Sequence, residues 1–203
     1  MMSGEHLDTS LPLEYQRNQD RLTIFGFWVF LAAEITLFAT LFATYFTLQH
    51  QTANGPVQQD IFELKGVLIE TFILLTSSFT CGIAVFNMRN KNKNAMLGWF
   101  IVTLLLGAAF VGFEINEFIT YVHDGATLPT SAFLSAFYVL LGTHGCHVSF
   151  GILWGISIIT QLIRRGLNPV GARKFFVISI YWHFLDVVWI FIFTFVYLGG
   201  LMK

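Results

Sequence analysis

Charge is scarce in this chain. Lys, Arg, Asp and Glu make up 11% of its 203 residues, where an ordinary globular domain carries roughly a quarter. Eleven basic and twelve acidic side chains leave a formal net charge of −1, so the basic surface that a nucleic-acid binder needs is missing. The two cysteines are too few for a disulfide scaffold. The four prolines, Pro12, Pro56, Pro129 and Pro169, all fall outside the long apolar runs. No glycine-rich phosphate loop, nucleophile elbow or H-E-x-x-H helix occurs, which argues against a freestanding ATPase or hydrolase. What abounds is apolar: 55% hydrophobic residues, 17% aromatic, 23 of them Phe. That composition excludes a disordered chain.

The apolar residues are gathered into five runs, 22–48, 66–88, 95–122, 131–163 and 175–201. Each exceeds the roughly 20 residues that cross a bilayer, and none holds a Lys, Arg or Pro. In lipid such a run must be helical, because the backbone has no water to bond. The fold class is therefore all-α: an integral membrane bundle of five transmembrane helices over residues 22–203, preceded by a polar segment over 1–21. The fourth run is the longest and should tilt or protrude. Polar connections separate the runs: Gln49–Lys65 with Asn54-Gly55-Pro56, the string NMRNKNKN over 87–94, His123–Thr130, and Arg164–Lys174 with Asn168-Pro169.

Counting Lys and Arg by side orients the chain. The N-terminal segment and the second and fourth connections hold Arg17, Arg21, Arg89, Lys91, Lys93, Arg164, Arg165, Arg173 and Lys174. The opposite side holds Lys65 and Lys203. Nine against two predicts a cytoplasmic N-terminus and an outer C-terminus. The first 21 residues carry four acids and two Arg with no apolar run, which does not fit a signal peptide. The first span then serves as its own insertion signal.

Ionisable residues inside the runs are the candidate functional positions, since each is costly in a bilayer and usually faces protein. Glu34 is the most isolated, among Phe30, Leu31, Phe38 and Leu41. The small residues Ala32, Thr36, Thr40 and Thr44 recur every four on the other face, a pattern that reads as a helix contact. Glu34 then points into an apolar crevice, a lipid-lined cleft or a neighbouring subunit. It reads either as an acid bonded to a neighbouring helix or as a proton-relay or lipid-headgroup contact. His144 and His147 share a face, as do His183 and Asp186. Such pairs suit structural hydrogen bonding, a transport path or a metal; against the metal, three histidines come from two helices with no Met beside them. Glu70 lies within the second run, and Glu114 and Glu117 are three apart in the third. Glu117 reads as an interfacial acid in water, beside an interfacial Tyr121.

Several strings resemble subunit III of the haem–copper oxidases. Tyr181-Trp182-His183-Phe184-Leu185-Asp186-Val187-Val188-Trp189 is similar to the family's Y-W-H-F-x-D-x-V-W signature, and Thr143-His144-Gly145-Cys146-His147-Val148 to its H-G-x-H-V element. Phe27 to Phe42, with Glu34 behind two alanines, resembles the carboxylate-bearing helix. Gly107 to Phe118 resembles the G-x-x-F…E-aromatic segment, with Glu114 where many members have Gln. The resemblance covers all five runs in order and matches a short bacterial form lacking the first two of seven helices.

That resemblance implies a non-redox subunit of a proton-pumping terminal oxidase that reduces O₂ to water in a bacterial cell membrane. It implies no catalytic, cofactor-binding or metal-binding residue in this chain, with haems and copper in subunit I. Implied partners are subunit I, subunit II, a small subunit IV and phospholipid. The family's carboxylate falls on Glu34, a cleft histidine on His147, and a lipid-phosphate arginine on Arg164, with Arg165 an equal candidate. His144, His183, Asp186, Glu70, Glu114 and Glu117 become structural polar residues. The short form, Glu114 and the Phe-rich helices look most like the quinol oxidase branch. The alternatives are subunit III of a cytochrome c oxidase and, more distantly, a small proton-coupled transporter using Glu34, Glu70 and Asp186.

Overall fold

The computed structural model describes residues 11–16, 18–53, 64–123 and 125–201. The first ten positions of the polar segment and the Asn54-Gly55-Pro56 turn signal lie outside the described residues. Among the described residues all regular structure is helical. The long helices are α1 (Asn18–Leu48), α2 (Leu64–Arg89), α3 (Lys93–His123), α4 (Ala132–Arg165) and α5 (Pro169–Ile192). The last continues through a π-helical stretch, Phe193–Leu198, into Gly199–Leu201. Five spans are long and apolar enough to cross a membrane.

Helix ends fall where side chains can serve the open backbone groups. Asn92 Oδ1 accepts from the Ala95 amide at 3.2 Å and starts α3. Ser131 Oγ accepts from the Leu134 amide at 3.1 Å and starts α4, which ends at Gly166 with φ 72°. Asn168 caps α5 at 2.7 Å through the Gly171 amide, with Pro169 at the first position. This cap begins the last helix six residues before the expected Phe175 and takes Arg173 and Lys174 into it. Helix α4, 34 residues long, runs about 51 Å at 1.5 Å per residue and overshoots the ~30 Å hydrocarbon layer.

The α2–α3 hairpin packs along two seams with alternating steps of three and four. Val67, Glu70, Leu74, Ser77, Cys81, Ala84 and Met88 form the buried line on α2. Met96, Phe100, Thr103, Gly107, Phe110, Glu114 and Tyr121 form it on α3, with half-buried Glu117 in the remaining slot. Such spacing keeps one stripe facing a partner helix. Thr80 and Thr103 hydroxyls meet at 2.8 Å across the hairpin and fix its register.

Helix α5 is the most enclosed span and α1 the least. Trp182 of α5 is wedged between Gly107 of α3 and Gly151 of α4; a Cβ at Gly107 would meet its ring at 2.6 Å. Its Nε1 donates to Ser77 Oγ at 3.1 Å, and Trp189 Nε1 donates to Thr71 Oγ1 at 3.1 Å. Helix α1 docks on α4 and α5 by one line of residues spaced by seven: Ile24, Leu31, Phe38 and Tyr45. The Ala32–Thr36–Thr40–Thr44 stripe, expected at a helix contact, faces outward instead. The hydroxyls of Thr36, Thr40 and Thr44 bond back to their own helix.

Before α1, the turn Leu13–Tyr15 docks against α5. Glu14 is fully buried and accepts from Arg89 Nε at 3.0 Å and Nη2 at 2.9 Å. Arg89 also lies over the Phe176 ring at 5.8 Å. Arg89→Ala leaves the Glu14 carboxylate without its cation. Because Arg89 is half exposed, the expected cost is about 1–2 kcal/mol. Limited proteolysis checks it: a new cleavage should open near residues 11–16 while the five spans stay intact.

Candidate functional site

Glu34 lies half-buried beside the buried line of α1, three residues past Leu31 and four before Phe38. Its partner is His147 of α4, whose Nε2 sits 3.1 Å from Glu34 Oε2. His147 Nδ1 stands 2.7 Å from the Thr143 carbonyl. A carbonyl only accepts, so Nδ1 carries a hydrogen. That leaves one proton between Nε2 and the Glu34 carboxyl, on either the imidazole or the acid. The pair is a single-proton site with a fixed tautomer. Tyr181 holds the same turn of α4 by donating to the His147 carbonyl at 3.2 Å. The Phe38 ring lies 5.2 Å from the imidazole.

The pair is partly open, with 15% of the Glu34 side chain and 22% of His147 exposed. On its α4 side runs a groove of about 550 Å³ lined by Phe27, Phe30, Phe150, Leu153, Trp154, Ser157 and Tyr181. On its α5 side a second, of about 260 Å³, is lined by Ile35, Phe38, Ala39, Phe42, Phe184, Val187, Val188 and Phe191. Linings this apolar suit hydrocarbon rather than a polar solute.

Arg164 stands apart from this pair. It is exposed at the end of α4, 17 residues beyond His147, or about 25 Å along the helix. A cavity of about 170 Å³ at that end is lined by Arg165, Gln161, Asn168 and Lys174. Lys174 there donates to Gln161 Oε1 at 2.7 Å.

The remaining polar candidates occupy separate positions. His144 is fully buried with neither ring nitrogen bonded, between Trp189 at 5.4 Å, Phe110 at 5.9 Å and Phe38 at 6.3 Å. His183 reaches Ser78 of α2, its Nδ1 2.7 Å from the hydroxyl, and Asp186 lies buried one turn further along α5. Glu70 and Glu114 lie buried in the α2–α3 seam. Glu117, read from sequence as a water-facing acid, instead accepts from Tyr121 at 2.5 Å and Tyr197 at 3.2 Å. Tyr121 is accordingly a buried residue, 5% exposed, and not part of an interfacial belt. Among the described residues no three His, Cys, Asp or Glu could together hold a metal.

Sequence reasoning left Glu34 without a named partner and missed Ser78 and Tyr197. The Glu34–His147 contact spans 113 positions, and nothing local signals it. The signal for Glu70 and Glu114 was present: both keep the three-and-four step of their helices' apolar lines.

A family model described as cytochrome c oxidase subunit III matches residues 16–201. The chain is 60% identical over 201 residues to quinol oxidase subunit 3 of Bacillus spizizenii, covering 99% of this chain and 98% of that protein. It is 59% identical over 201 residues to quinol oxidase subunit 3 of Bacillus subtilis, with the same coverage. With a probable quinol oxidase subunit 3 of Staphylococcus saprophyticus it shares 53% identity over 191 residues, 94% of this chain and 95% of the relative.

Proposed function

The chain belongs to the cytochrome c oxidase subunit III family, and from that membership we propose that it serves as subunit III of a bacterial quinol oxidase, without a redox centre of its own. The observation that carries the quinol branch is the near-full-length similarity to relatives named as quinol oxidase subunit 3. It is a multi-pass protein of the bacterial cell membrane, and the other subunits of the oxidase are its partners.

The finer assignments are as follows. Haems and copper belong to subunit I, with subunit II and a small subunit IV completing the complex that reduces O₂ and pumps protons. The outward stripe of α1, with its small side chains and self-bonded hydroxyls, is available to a neighbouring subunit. Acyl chains of phospholipid occupy the two grooves beside Glu34 and His147, and a basic side chain at the end of α4, Arg164 or Arg165, meets a headgroup. The N-terminus lies in the cytoplasm on this reading, which the excess of nine basic residues against two supports. The subunit stabilises the catalytic core and keeps lipid and a single-proton site at its flank.

Co-migration tests the reading. Solubilised native membrane run on a blue-native gel should show the chain in a haem-staining band. A band holding this chain alone, or as a homo-oligomer, would support a transporter instead.

Glu34→Gln is expected to leave assembly unchanged. Its amide can donate to Nε2 of His147, whose other nitrogen stays committed to Thr143, so the contact survives while the carboxyl proton is lost. Blue-native stoichiometry and the haem spectrum check this; loss of the chain from the complex would contradict a stabilising role that is independent of the carboxyl.

A further inference from the structure

We propose that a buried water molecule bridges Glu114 of α3 and His144 of α4, where α1, α3, α4 and α5 meet. The site is distinct from the Glu34–His147 pair and lies wholly within this chain. Contacts along the α3–α4 seam bring the two side chains to one level. Leu104 meets Gly155, Gly107 meets Ile152, and Glu114 meets Gly145. Each step along α3 is matched by an equal step back along α4, the mark of an antiparallel pair in fixed register. His144 therefore stands within one residue of the level of Glu114, about 1.5 Å along the axis.

Three polar atoms at this level have no hydrogen-bond partner among the described residues: Nδ1 and Nε2 of His144, which is fully buried, and Oε1 of Glu114, which is 3% exposed. An imidazole carries at least one N–H, and interior polar atoms are almost always bonded. The rings that enclose His144 do not supply the bond. Their centroids lie 6.3 Å away for Phe38 of α1, 5.9 Å for Phe110 of α3 and 5.4 Å for Trp189 of α5. The two Phe rings have no polar atom, and the one indole N–H of Trp189 is spent on Thr71 Oγ1 at 3.1 Å. Phe110, edge-on to the imidazole, is one turn from Glu114 on the same face of α3.

The carboxyl leans on the backbone of α4, since a methyl group at Gly145 would strike its Oε2. One turn earlier on the same face, Gly142 has open space where a Cβ would be. The two glycines leave α4 without a side chain beside the carboxyl. Hydrocarbon offers these atoms no hydrogen bonds, and internal waters characteristically bond such otherwise unsatisfied groups. A water donates twice and accepts twice, so one molecule gives a hydrogen to Glu114 Oε1 and meets a ring nitrogen of His144 in either tautomer. The bridge ties α3 to α4 at the level where Phe38 and Trp189 close the core.

Cryo-electron microscopy of the intact oxidase, at a resolution that shows ordered water between membrane helices, tests this on wild type, Glu114→Gln and Glu114→Leu. The expected result is one density within hydrogen-bond distance of both the Glu114 carboxyl and a ring nitrogen of His144. It should persist in Glu114→Gln, whose amide oxygen still accepts, and be lost in Glu114→Leu. A map of wild type or of Glu114→Gln without this density, or with the Glu114 carboxyl bonded directly to the imidazole, would overturn the proposal. So would a density that survives unchanged in Glu114→Leu. If a variant does not assemble, the remaining maps decide: the density in wild type supports the bridge, and its absence there overturns it.

Discussion

Trp182→Ala is expected to cost about 3–5 kcal/mol and to remove the chain from the oxidase. Trp182 is 2% exposed and is gripped by Gly107 and Gly151 on two different helices. In a bilayer, helices are held by close packing and polar contacts, because lipid is as apolar as the side chains. Removing the indole therefore forfeits dispersion contacts on α3 and α4 together, leaves a cavity, and takes from Ser77 Oγ the donor it accepts at 3.1 Å, leaving only its own bond to the Leu74 carbonyl. Trp182→Phe separates these effects. It keeps most of the ring and loses the hydrogen bond, for a cost on the order of 1 kcal/mol from that bond. Immunoblots of blue-native gels should show the subunit absent for Ala and present for Phe. The haem spectrum of the remaining complex should be unchanged in both.

Removing the whole chain is expected to have the largest functional effect, and that effect falls on durability. If the chain is the non-redox subunit III proposed above, its loss should leave haem absorbance intact and the initial quinol oxidation rate close to wild type. Inactivation during turnover should come several-fold sooner, since the flank covered by the bundle, its two grooves and its proton site would lie open to the bilayer. Progress curves of O₂ consumption at saturating quinol, followed to complete inactivation, measure it. A complex lacking the subunit that turns over as long as the intact one would remove the stabilising role.

Five apolar runs without Pro were legible as five helices because run length and backbone burial leave a bilayer segment no alternative. The breaks were legible as well, from NMRNKNKN and from Asn168-Pro169. The first residue of α5 was not, because the Asn168–Gly171 cap outweighs the polarity of Arg173 and Lys174 that suggested a loop. The face of α1 was misread for a related reason. Small residues every four suggested contact, but the line Ile24, Leu31, Phe38, Tyr45 fills the seam and leaves the threonines outside. Periodicity alone does not rank two competing stripes.

The candidate site was half legible. Residue type and the family resemblance brought out Glu34 and His147, and the structure adds their 3.1 Å contact and the Thr143 carbonyl that fixes the tautomer. Spacing suggested Asp186 as the partner of His183, whereas the bond the structure gives His183 is to Ser78 of α2. Glu117 was misread from its position near a helix end, because Tyr197, which encloses it together with Tyr121 of its own helix, lies 80 positions away in the sequence.

The haem and copper content of this chain, purified from native membrane and measured by absorbance and elemental analysis, tests most directly whether it is a non-redox subunit. The expected result is no Soret band and no stoichiometric copper in the isolated chain, with both in the complex from which it came. A haem or copper retained in fixed ratio by the isolated polypeptide would contradict the assignment.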